Sequence, residues 1–288
     1  MTRLPLSKRQ WLKPGLQTTL WIMLCLLSFG MVSGALAKQQ SGGETIVALT
    51  AGNRLVQFSS ADPCTLSSRQ SISGLQPGER LHGIDFRPFN GQLYGLGSTS
   101  RLYVIDPGTG VATQVGVPFP TLLSGTAFGF DFNPTVDRIR IVSNTGQNFR
   151  LHPDTGAIVA IDLPLAFALT DPNAGVTPAV AGAAYTNPDN DPATGTTLYD
   201  MDTGLDILAT QNPPNDGVLN TVGALGVNVN NLLGFDISIS GLAYAALQSG
   251  TGGCGASQFA TVDLTTGTVT LVGAIGTPER IRGLAVSP

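Results

Sequence analysis

Three aspartates at one position of a recurring phrase are the side chains best suited to chemistry. Asp85, Asp131 and Asp236 each stand between large apolar residues, in the segments GIDF, GFDF and GFDI. Carboxylate oxygens suit Ca²⁺, so three of them converging in a channel could hold that cation. Alternatively, each buried carboxylate could accept hydrogen bonds from backbone N–H groups of a neighbouring repeat. The architectural alternative is favoured, because Ala184 and Ala285 occupy the same position in two further copies.

A second acidic segment begins like a calcium-binding loop. Asp189, Asp191 and Asp200 stand at the first, third and twelfth positions of such a loop. However, Ala193 removes the ligand expected at the fifth position, and Gly195 falls one residue after the place where the loop needs its glycine. These three aspartates are therefore weaker metal candidates than those of the recurring phrase, and no cofactor is predicted beyond the Ca²⁺ alternative.

Catalysis by an activated nucleophile has little support in this sequence. The chain has two histidines, His82 and His152, and lacks the segment G-x-S-x-G. Both histidines are predicted to lie at turns or strand rims. The segment from Gly250 to Gly255 matches G-x-G-x-x-G, but a predicted strand follows it where a dinucleotide site needs a helix. We therefore predict a loop there and assign no catalytic residue.

The phrase that carries the aspartates occurs five times. Its glycines are separated by 46, 53, 52 and 49 residues, and the copies start at Gly83, Gly129, Gly182, Gly234 and Gly283. Repeats of about 40 to 50 residues are typical of propeller blades. Each of the first four copies is followed by three further strand-like segments, separated by turns rich in Asp, Asn, Thr and Gly. Four strands in each repeat predict a propeller blade.

The fifth copy ends the sequence, and its three missing strands are predicted at the other end. Residues 282–288 would join residues 44–73 in one blade, so that strands from both ends of the chain close the ring. We therefore predict an all-β propeller of five four-stranded blades, forming a single domain over residues 44–288 and a monomer. A six-bladed ring is the alternative. It would require strands from residues 163–180, which are rich in Pro, Asn and Gly.

The first 37 residues are predicted to be a signal peptide, followed by a short linker at residues 38–43. They combine a basic start, an apolar segment and the cleavage pattern Ala35-Leu36-Ala37. We expect export to the periplasm or the medium, by either the general secretory or the twin-arginine route. Cleavage removes four of the 15 basic residues and none of the 19 acidic ones, leaving a net charge near −8. This charge argues against a nucleic-acid partner and against stable association with an anionic membrane.

Two cysteines, Cys64 and Cys254, would remain after cleavage. An oxidising compartment favours a disulfide between them. In the predicted propeller, however, they fall in strand connections at opposite faces, whereas a disulfide needs Cα atoms within about 7 Å. Two free thiols are therefore expected, with the disulfide as the alternative.

Several runs of the sequence resemble one bacterial family. The phrases GIDFRP and GFDFNP, the runs AGAAYTNP and QNPPNDG and the closing GLAVSP are similar to a secreted family described only as domain of unknown function 4394. The resemblance covers about residues 44–288. It implies an extracytoplasmic, propeller-like protein and supplies no reaction, cofactor or catalytic residue.

Two classes of function follow from these observations. The first is a non-catalytic binding or scaffold module whose ring presents loops to a protein or glycan partner. The alternative is a metal-dependent hydrolase or lactonase of the propeller type, with carboxylates at the mouth of the channel. The shortage of histidine and the missing nucleophile motifs favour the first class, since a propeller fold is compatible with both.

Overall fold

The structure is a computed structural model that describes residues 42–248 and 254–288. The chain begins with β1 (Thr45–Thr50), β2 (Arg54–Ser59) and β3 (Asp62–Ser71). Blade 1 then consists of β4 (Leu81–Phe86), β5 (Leu93–Gly97), β6 (Arg101–Ile105) and β7 (Ala112–Val115). Blade 2 consists of β8 (Phe128–Asn133), β9 (Arg138–Ser143), β10 (Asn148–Leu151) and β11 (Ile158–Ile161).

The second half of the chain supplies two more blades and completes a third. After β12 (Ala166–Phe167), blade 3 consists of β13 (Val180–Tyr185), β14 (Leu198–Asp202), β15 (Ile207–Gln211) and β16 (Val218–Ala224), with a short 3-10 helix at Pro214–Asp216. Blade 4 consists of β17 (Gly234–Ile237), β18 (Ala243–Leu247), β19 (Gln258–Val262) and β20 (Val269–Ala274). The last strand is β21 (Ile281–Val286), which joins β1, β2 and β3 in blade 5.

The five sheets form a five-bladed propeller, as the spacing of the recurring phrase predicts. The first strands of the blades contact one another in the order β4, β8, β13, β17 and β21, and β21 contacts β4 again. Each recurring phrase is therefore the innermost strand of its blade. Apolar side chains of adjacent blades pack between the sheets, as where Phe128, Phe130 and Phe132 of blade 2 meet Tyr94 and Leu96 of blade 1. This burial is the main force that holds neighbouring blades together.

The first glycine of the recurring phrase allows the innermost strands to approach closely. A Cβ atom on Gly129 would lie 2.5 Å from the Cβ of Ala183 in the next blade. A Cβ atom on Gly234 would lie 2.5 Å from the backbone nitrogen of Leu284. A side chain at these positions would force the inner strands apart, so the glycine sets the narrow width of the ring.

Strands from both ends of the chain close the ring, which confirms the sequence prediction. β1 pairs with β21 in antiparallel register from Ile46 opposite Val286 to Leu49 opposite Gly283. The six-bladed alternative is wrong. Apart from Val180, which begins β13, residues 163–180 contribute only the two-residue strand β12. It pairs in parallel with the outermost strand β16 of blade 3.

Cys64 and Cys254 form a disulfide with their Cα atoms 5.9 Å apart, so the expectation of two free thiols is wrong. That expectation treated each blade as a regular sheet with its connections confined to two faces. The register between β2 and β3 shifts on both sides of Phe58, so the start of β3 bulges out of its blade. There the carbonyl of Pro63 accepts a hydrogen bond from the Gly276 backbone at 3.0 Å, which places Cys64 beside blade 4.

Some sequence predictions lie outside the described residues. They are the signal peptide at residues 1–37, most of the linker at residues 38–43, and residues 249–253 of the glycine-rich loop. Within the described part of the chain, none of the helical segments has the length and apolar character needed to cross a membrane.

Ring closure gives the first testable prediction. Deleting residues 282–288 removes most of β21, exposes the edge of β1 and takes Leu284 and Ala285 out of the core, where both are buried. We expect the truncated chain to lose its soluble monomeric form, measured by size-exclusion chromatography and circular dichroism. Deletion of Pro288 alone is the control and should change neither. A monomer with an unchanged melting temperature after the longer deletion would contradict closure by β21.

Candidate functional site

The three aspartates of the recurring phrase meet at the centre of the ring. Asp85 lies in β4, Asp131 in β8 and Asp236 in β17, each at the same place in its innermost strand. One carboxylate oxygen from each lies within 4.8 Å of the others, and the residues are only 4–6% exposed. Within the described residues, this is the only group of at least three His, Cys, Asp or Glu residues close enough to share a metal ion.

The carboxylate of Asp85 bridges two blades through backbone hydrogen bonds. Its Oδ1 accepts the N–H of Phe86 in its own strand at 2.7 Å. Its Oδ2 accepts the N–H of Phe132 in blade 2 at 2.8 Å. Both donors belong to the residue that follows the aspartate position in its blade, so equivalent N–H groups point into the channel.

The other two aspartates serve the remaining three blades. Asp236 accepts the N–H of Ile237 at 2.6 Å and, through its other oxygen, the N–H of Val286 in blade 5 at 2.6 Å. Asp131 accepts the N–H of Tyr185 in blade 3 at 3.0 Å through Oδ1. All five equivalent N–H groups are therefore satisfied by three carboxylates.

This arrangement explains why two copies of the phrase have alanine in place of aspartate. An aspartate at position 184 would accept the N–H of Ile237, and one at position 285 would accept that of Phe86. Those two donors are instead bound by the aspartates of their own strands, Asp236 and Asp85. Ala184 and Ala285 thus leave no N–H group without an acceptor and avoid two further buried carboxylates.

The crowding of three buried carboxylates changes their acidity. Burial raises the pKa of Asp85 and of Asp131 well above the usual range, and the nearby carboxylates raise both further. Burial also raises the pKa of Asp236 to about 7, against the opposing effect of the hydrogen bonds from Val286 and Ile237. The cluster therefore keeps part of its protons near neutral pH, because full ionisation would place three charges together out of water.

A small cavity of about 90 Å³ opens above the cluster at the mouth of the channel. Its floor is formed by the three aspartates, and its wall is mainly apolar, including Pro88 and Pro188 from the ends of two recurring phrases. The three carboxylates therefore line a small cavity whose remaining wall is mainly apolar.

The weaker metal candidates do not form a common site. Asp189 and Asp191 are exposed, and each accepts a backbone N–H two residues further on, which stabilises the turn of their own loop. Asp200 is fully buried in β14, opposite Ala183 and Ala209 in the adjacent strands. The structure thus divides the predicted loop between a surface turn and the interior of blade 3.

Asp200 has an unusual environment that sequence reasoning did not identify. Both of its carboxylate oxygens are buried and have no hydrogen-bond partner among the described residues. Burial raises the pKa of Asp200 to about 8, with Arg140 opposing the rise and Asp202 adding to it. Asp200 is therefore mainly protonated at neutral pH.

The two histidines occupy structural positions. His82 packs against Phe128 with ring centroids 4.6 Å apart, and burial, followed by the charge of Arg282, lowers its pKa to about 4. His152 lies at the end of blade 2, where its Nδ1 accepts the backbone N–H of Asp154 at 3.2 Å. The prediction of turn or rim positions agrees with the placement of His152, whereas His82 is part of the packing between blades 1 and 2.

Blade 2 contains a group of arginines that was not predicted from the sequence. Arg140 in β9 is 2% exposed and stands directly opposite Arg150 in β10. Asp162 accepts hydrogen bonds from both guanidinium groups, at 2.6 Å from Arg140 and 2.7 Å from Arg150. Burial raises the pKa of Asp162, but these bonds outweigh that effect and keep it below the usual value. The alternation of Arg138 and Arg140 in one strand was the signal that could have indicated this group.

Comparison with protein families identifies the chain. The model of the family described as "Domain of unknown function (DUF4394)" matches residues 54–285, which is most of the chain. The chain therefore belongs to this family. No curated protein matches it.

Comparison with solved structures finds other proteins of related shape. A structural genomics protein of unknown function from Bacteroides thetaiotaomicron is 16% identical, with 80% of this chain and 57% of that chain covered and a TM-score of 0.48. Dihydro-heme d1 dehydrogenase NirN is 12% identical, with 79% and 43% covered and a TM-score of 0.41. The chain thus spans about half the length of these two proteins. A chain of a nidogen/laminin complex is 13% identical, with 85% and 99% covered and a TM-score of 0.51, which bears on the fold alone.

The hydrogen bonds in the channel predict an order of stability losses. Asp85→Ala and Asp236→Ala each leave two backbone N–H groups without an acceptor, whereas Asp131→Ala leaves one. Each unpaired buried donor costs about 1–3 kcal/mol, so the first two variants should unfold at lower denaturant concentration than the third. The exposed Asp216→Ala is the control. Equal losses in all three variants, or none, would contradict the assignment of the five donors.

Asp200 predicts a dependence of stability on pH. Its pKa is raised in the folded state, so its favourable contribution is complete below the unfolded value near 3.8 and is lost as the pH rises towards about 8. We expect Asp200→Asn to gain stability relative to the unmodified protein as the pH rises through this range. Denaturant unfolding at several pH values measures the difference, with the exposed Asp189→Asn as control. Parallel pH curves for Asp200→Asn and the unmodified protein would rule out the buried, protonated carboxyl.

Proposed function

We propose that this member of the family is an exported, non-catalytic binding or scaffold module. In this proposal the channel carboxylates hold the blades together, and the loops and clefts at the rim contact a protein or glycan partner. The observation that carries the proposal is that the carboxylates of the channel bind backbone N–H groups. Five of their six oxygens accept backbone N–H groups from the five blades. Carboxylates used in this way position backbone and are poorly placed to bind a substrate.

The remaining titratable groups also support a non-catalytic role. A general base works best when its pKa lies near the operating pH. The pKa of His82 is lowered to about 4, and its ring is packed against Phe128. Asp200 has a pKa of about 8, but it is fully buried within blade 3 and does not line the cavity above the channel. Neither His82 nor Asp200 therefore combines access to this cavity with a pKa near neutrality. Asp236 lines the cavity and has a pKa of about 7, but both of its carboxylate oxygens are occupied by backbone N–H groups.

The disulfide supports the exported location. Bonds between cysteines persist in oxidising compartments such as the periplasm and the extracellular medium, and are rare in the cytosol. The bond between Cys64 and Cys254 agrees with the signal peptide predicted at residues 1–37. Both observations favour a partner that is encountered outside the cytoplasm.

A metal-dependent hydrolase or lactonase is the second candidate, and one specific observation favours it. Three carboxylate oxygens lie within 4.8 Å of one another, and Oδ2 of Asp131 accepts no hydrogen bond from the described residues. A hard cation such as Ca²⁺ takes six to eight oxygen ligands, so three carboxylates would be half of a typical set. Five backbone N–H groups directed at the same oxygens compete with a cation for them, which is why this candidate comes second.

Metal analysis separates the two functions. We expect purified protein to contain substoichiometric Ca²⁺ by elemental analysis, and its melting temperature to be the same with and without a chelator. The carboxylates are already neutralised by backbone donors and protons, so removal of free metal should change nothing. The Asp131→Ala variant, which loses the oxygen without a donor, is the matched comparison. Stoichiometric Ca²⁺ in the unmodified protein, absent from Asp131→Ala, together with a melt that is sensitive to chelator, would favour the enzyme instead.

A further inference from the structure

A cleft lies between blades 2 and 3 and shares the lining residue Tyr185 with the channel cavity. It has two parts, of about 160 Å³ and 510 Å³, that share Asn133, Tyr185 and Pro214 in their walls. The smaller part is lined by arginines and the larger part by hydroxyl and amide side chains. The combined size exceeds what a single inorganic ion would fill.

The smaller part of the cleft carries an excess of positive charge. Arg138, Arg140 and Arg150 all line it. Asp162 is bound to two of these arginines and balances one of the three charges. The guanidinium of Arg138 donates only from Nη1, to the carbonyls of Val136 and Asp137, and its other N–H groups have no partner among the described residues. In a chain with 19 acidic and 15 basic residues, this concentration of arginine favours an anionic ligand.

The larger part of the cleft contains a buried acceptor that lacks a donor. Gln211 is 1% exposed, and its Nε2 donates to the carbonyl of Pro214 at 2.5 Å. Its Oε1 is buried without a hydrogen-bond partner among the described residues. Thr210 also lines the cleft, and its hydroxyl has no partner in the same part of the chain. The unpaired carbonyl oxygen of Gln211 and the unpaired hydroxyl of Thr210 suit a ligand that carries O–H groups of its own.

We propose that this cleft binds an acidic saccharide, a sugar that carries carboxylate groups. The carboxylate lies against the guanidinium of Arg138, and a ring hydroxyl donates to Oε1 of Gln211 while another contacts Thr210. The proposal rests on the proposed function as a binding module, and it gives that module a ligand class and a location. A simple anion would leave Gln211 without a donor, and a neutral sugar would leave the arginine-lined part of the cleft without an anionic partner for the free guanidinium N–H groups of Arg138.

Binding is tested by titration calorimetry with a trimer of galacturonic acid as the probe. The same trimer with methyl-esterified carboxylates tests the contribution of charge, and a glutamate-rich peptide of equal charge tests the contribution of the hydroxyls. We expect the acidic trimer to bind and the ester to bind at least about tenfold more weakly, because the ester lacks the carboxylate charge. The peptide should also bind more weakly than the acidic trimer, because it lacks the sugar hydroxyls.

Two variants and two matched controls locate the binding. Arg138→Gln should weaken binding of the acidic trimer about tenfold or more, and Thr210→Val should weaken it a few-fold. Arg280→Gln is the control for charge, because Arg280 is exposed and lies outside the cleft. Thr261→Val is the control for Thr210→Val, because each threonine is half-buried in the third strand of its blade. Thr261 lies opposite Tyr244, and Thr210 lies opposite Tyr199. Circular dichroism verifies that all four variants are folded.

Three results would overturn the proposal. They are absence of binding by the acidic trimer, equal binding in Arg138→Gln and Arg280→Gln, and tighter binding of the peptide than of the saccharide. None of these results affects the proposed non-catalytic role, which fails only if the protein holds stoichiometric Ca²⁺ and depends on it for stability. The saccharide and the module are therefore tested separately.

Discussion

The innermost strand of each blade has one edge without a neighbouring strand, and an N–H group at that edge needs an acceptor. Each buried N–H without a partner costs about 1–3 kcal/mol, so leaving all five unsatisfied would remove a large part of the free energy of unfolding of a typical domain. Three aspartates meet the requirement from inside the channel. Three of the five hydrogen bonds cross from one blade to the next, so the same contacts also fix the spacing of the blades.

Meeting this requirement with carboxylates has an electrostatic cost. Acceptors with two oxygens can serve two donors each, as Asp85 and Asp236 do. Burial raises the pKa of all three aspartates, and nearby carboxylates raise the pKa of Asp85 and Asp131 further. The alanines at this position in the two remaining blades keep the number of buried carboxylates at three, which is enough to bind all five backbone N–H groups. The recurring phrase therefore balances the number of acceptors against repulsion within the channel.

Much of this fold could be predicted from the sequence because the information is repeated. The phrase from Gly83 and its four further copies predict the number of blades, and the incomplete fifth copy predicts closure by β1 and β21. The position of the three aspartates in the phrase predicts their convergence, and the alanines at positions 184 and 285 favour an architectural use over a metal site. Which donor each oxygen binds could not be predicted, because it depends on the offset between adjacent blades.

Features that occur once in the chain were harder to predict. The disulfide depends on a local shift of register around Phe58, and the recurring phrase gives no indication of this shift. Asp200 lacks hydrogen-bond partners because of the residues that surround it in three dimensions. Likewise, Asp162 joins Arg140 and Arg150 through contacts between strands. The pattern of residues along one strand contains neither kind of information. Sequence periodicity thus indicates the number of blades and their closure, whereas contacts that occur only once are visible only in the three-dimensional structure.

Closure of blade 5 by both ends of the chain imposes an order on folding during synthesis. The strands β1, β2 and β3 emerge from the ribosome first, but their partner β21 is the last strand of the propeller to be made. Blades 1 to 4 can each complete four strands as they emerge, while the inner edge of β1 stays open throughout elongation. A nascent chain therefore carries one unpaired strand edge that a β21 segment of another chain could occupy. Release of a closed monomer requires that the chain's own final strand reaches this edge first.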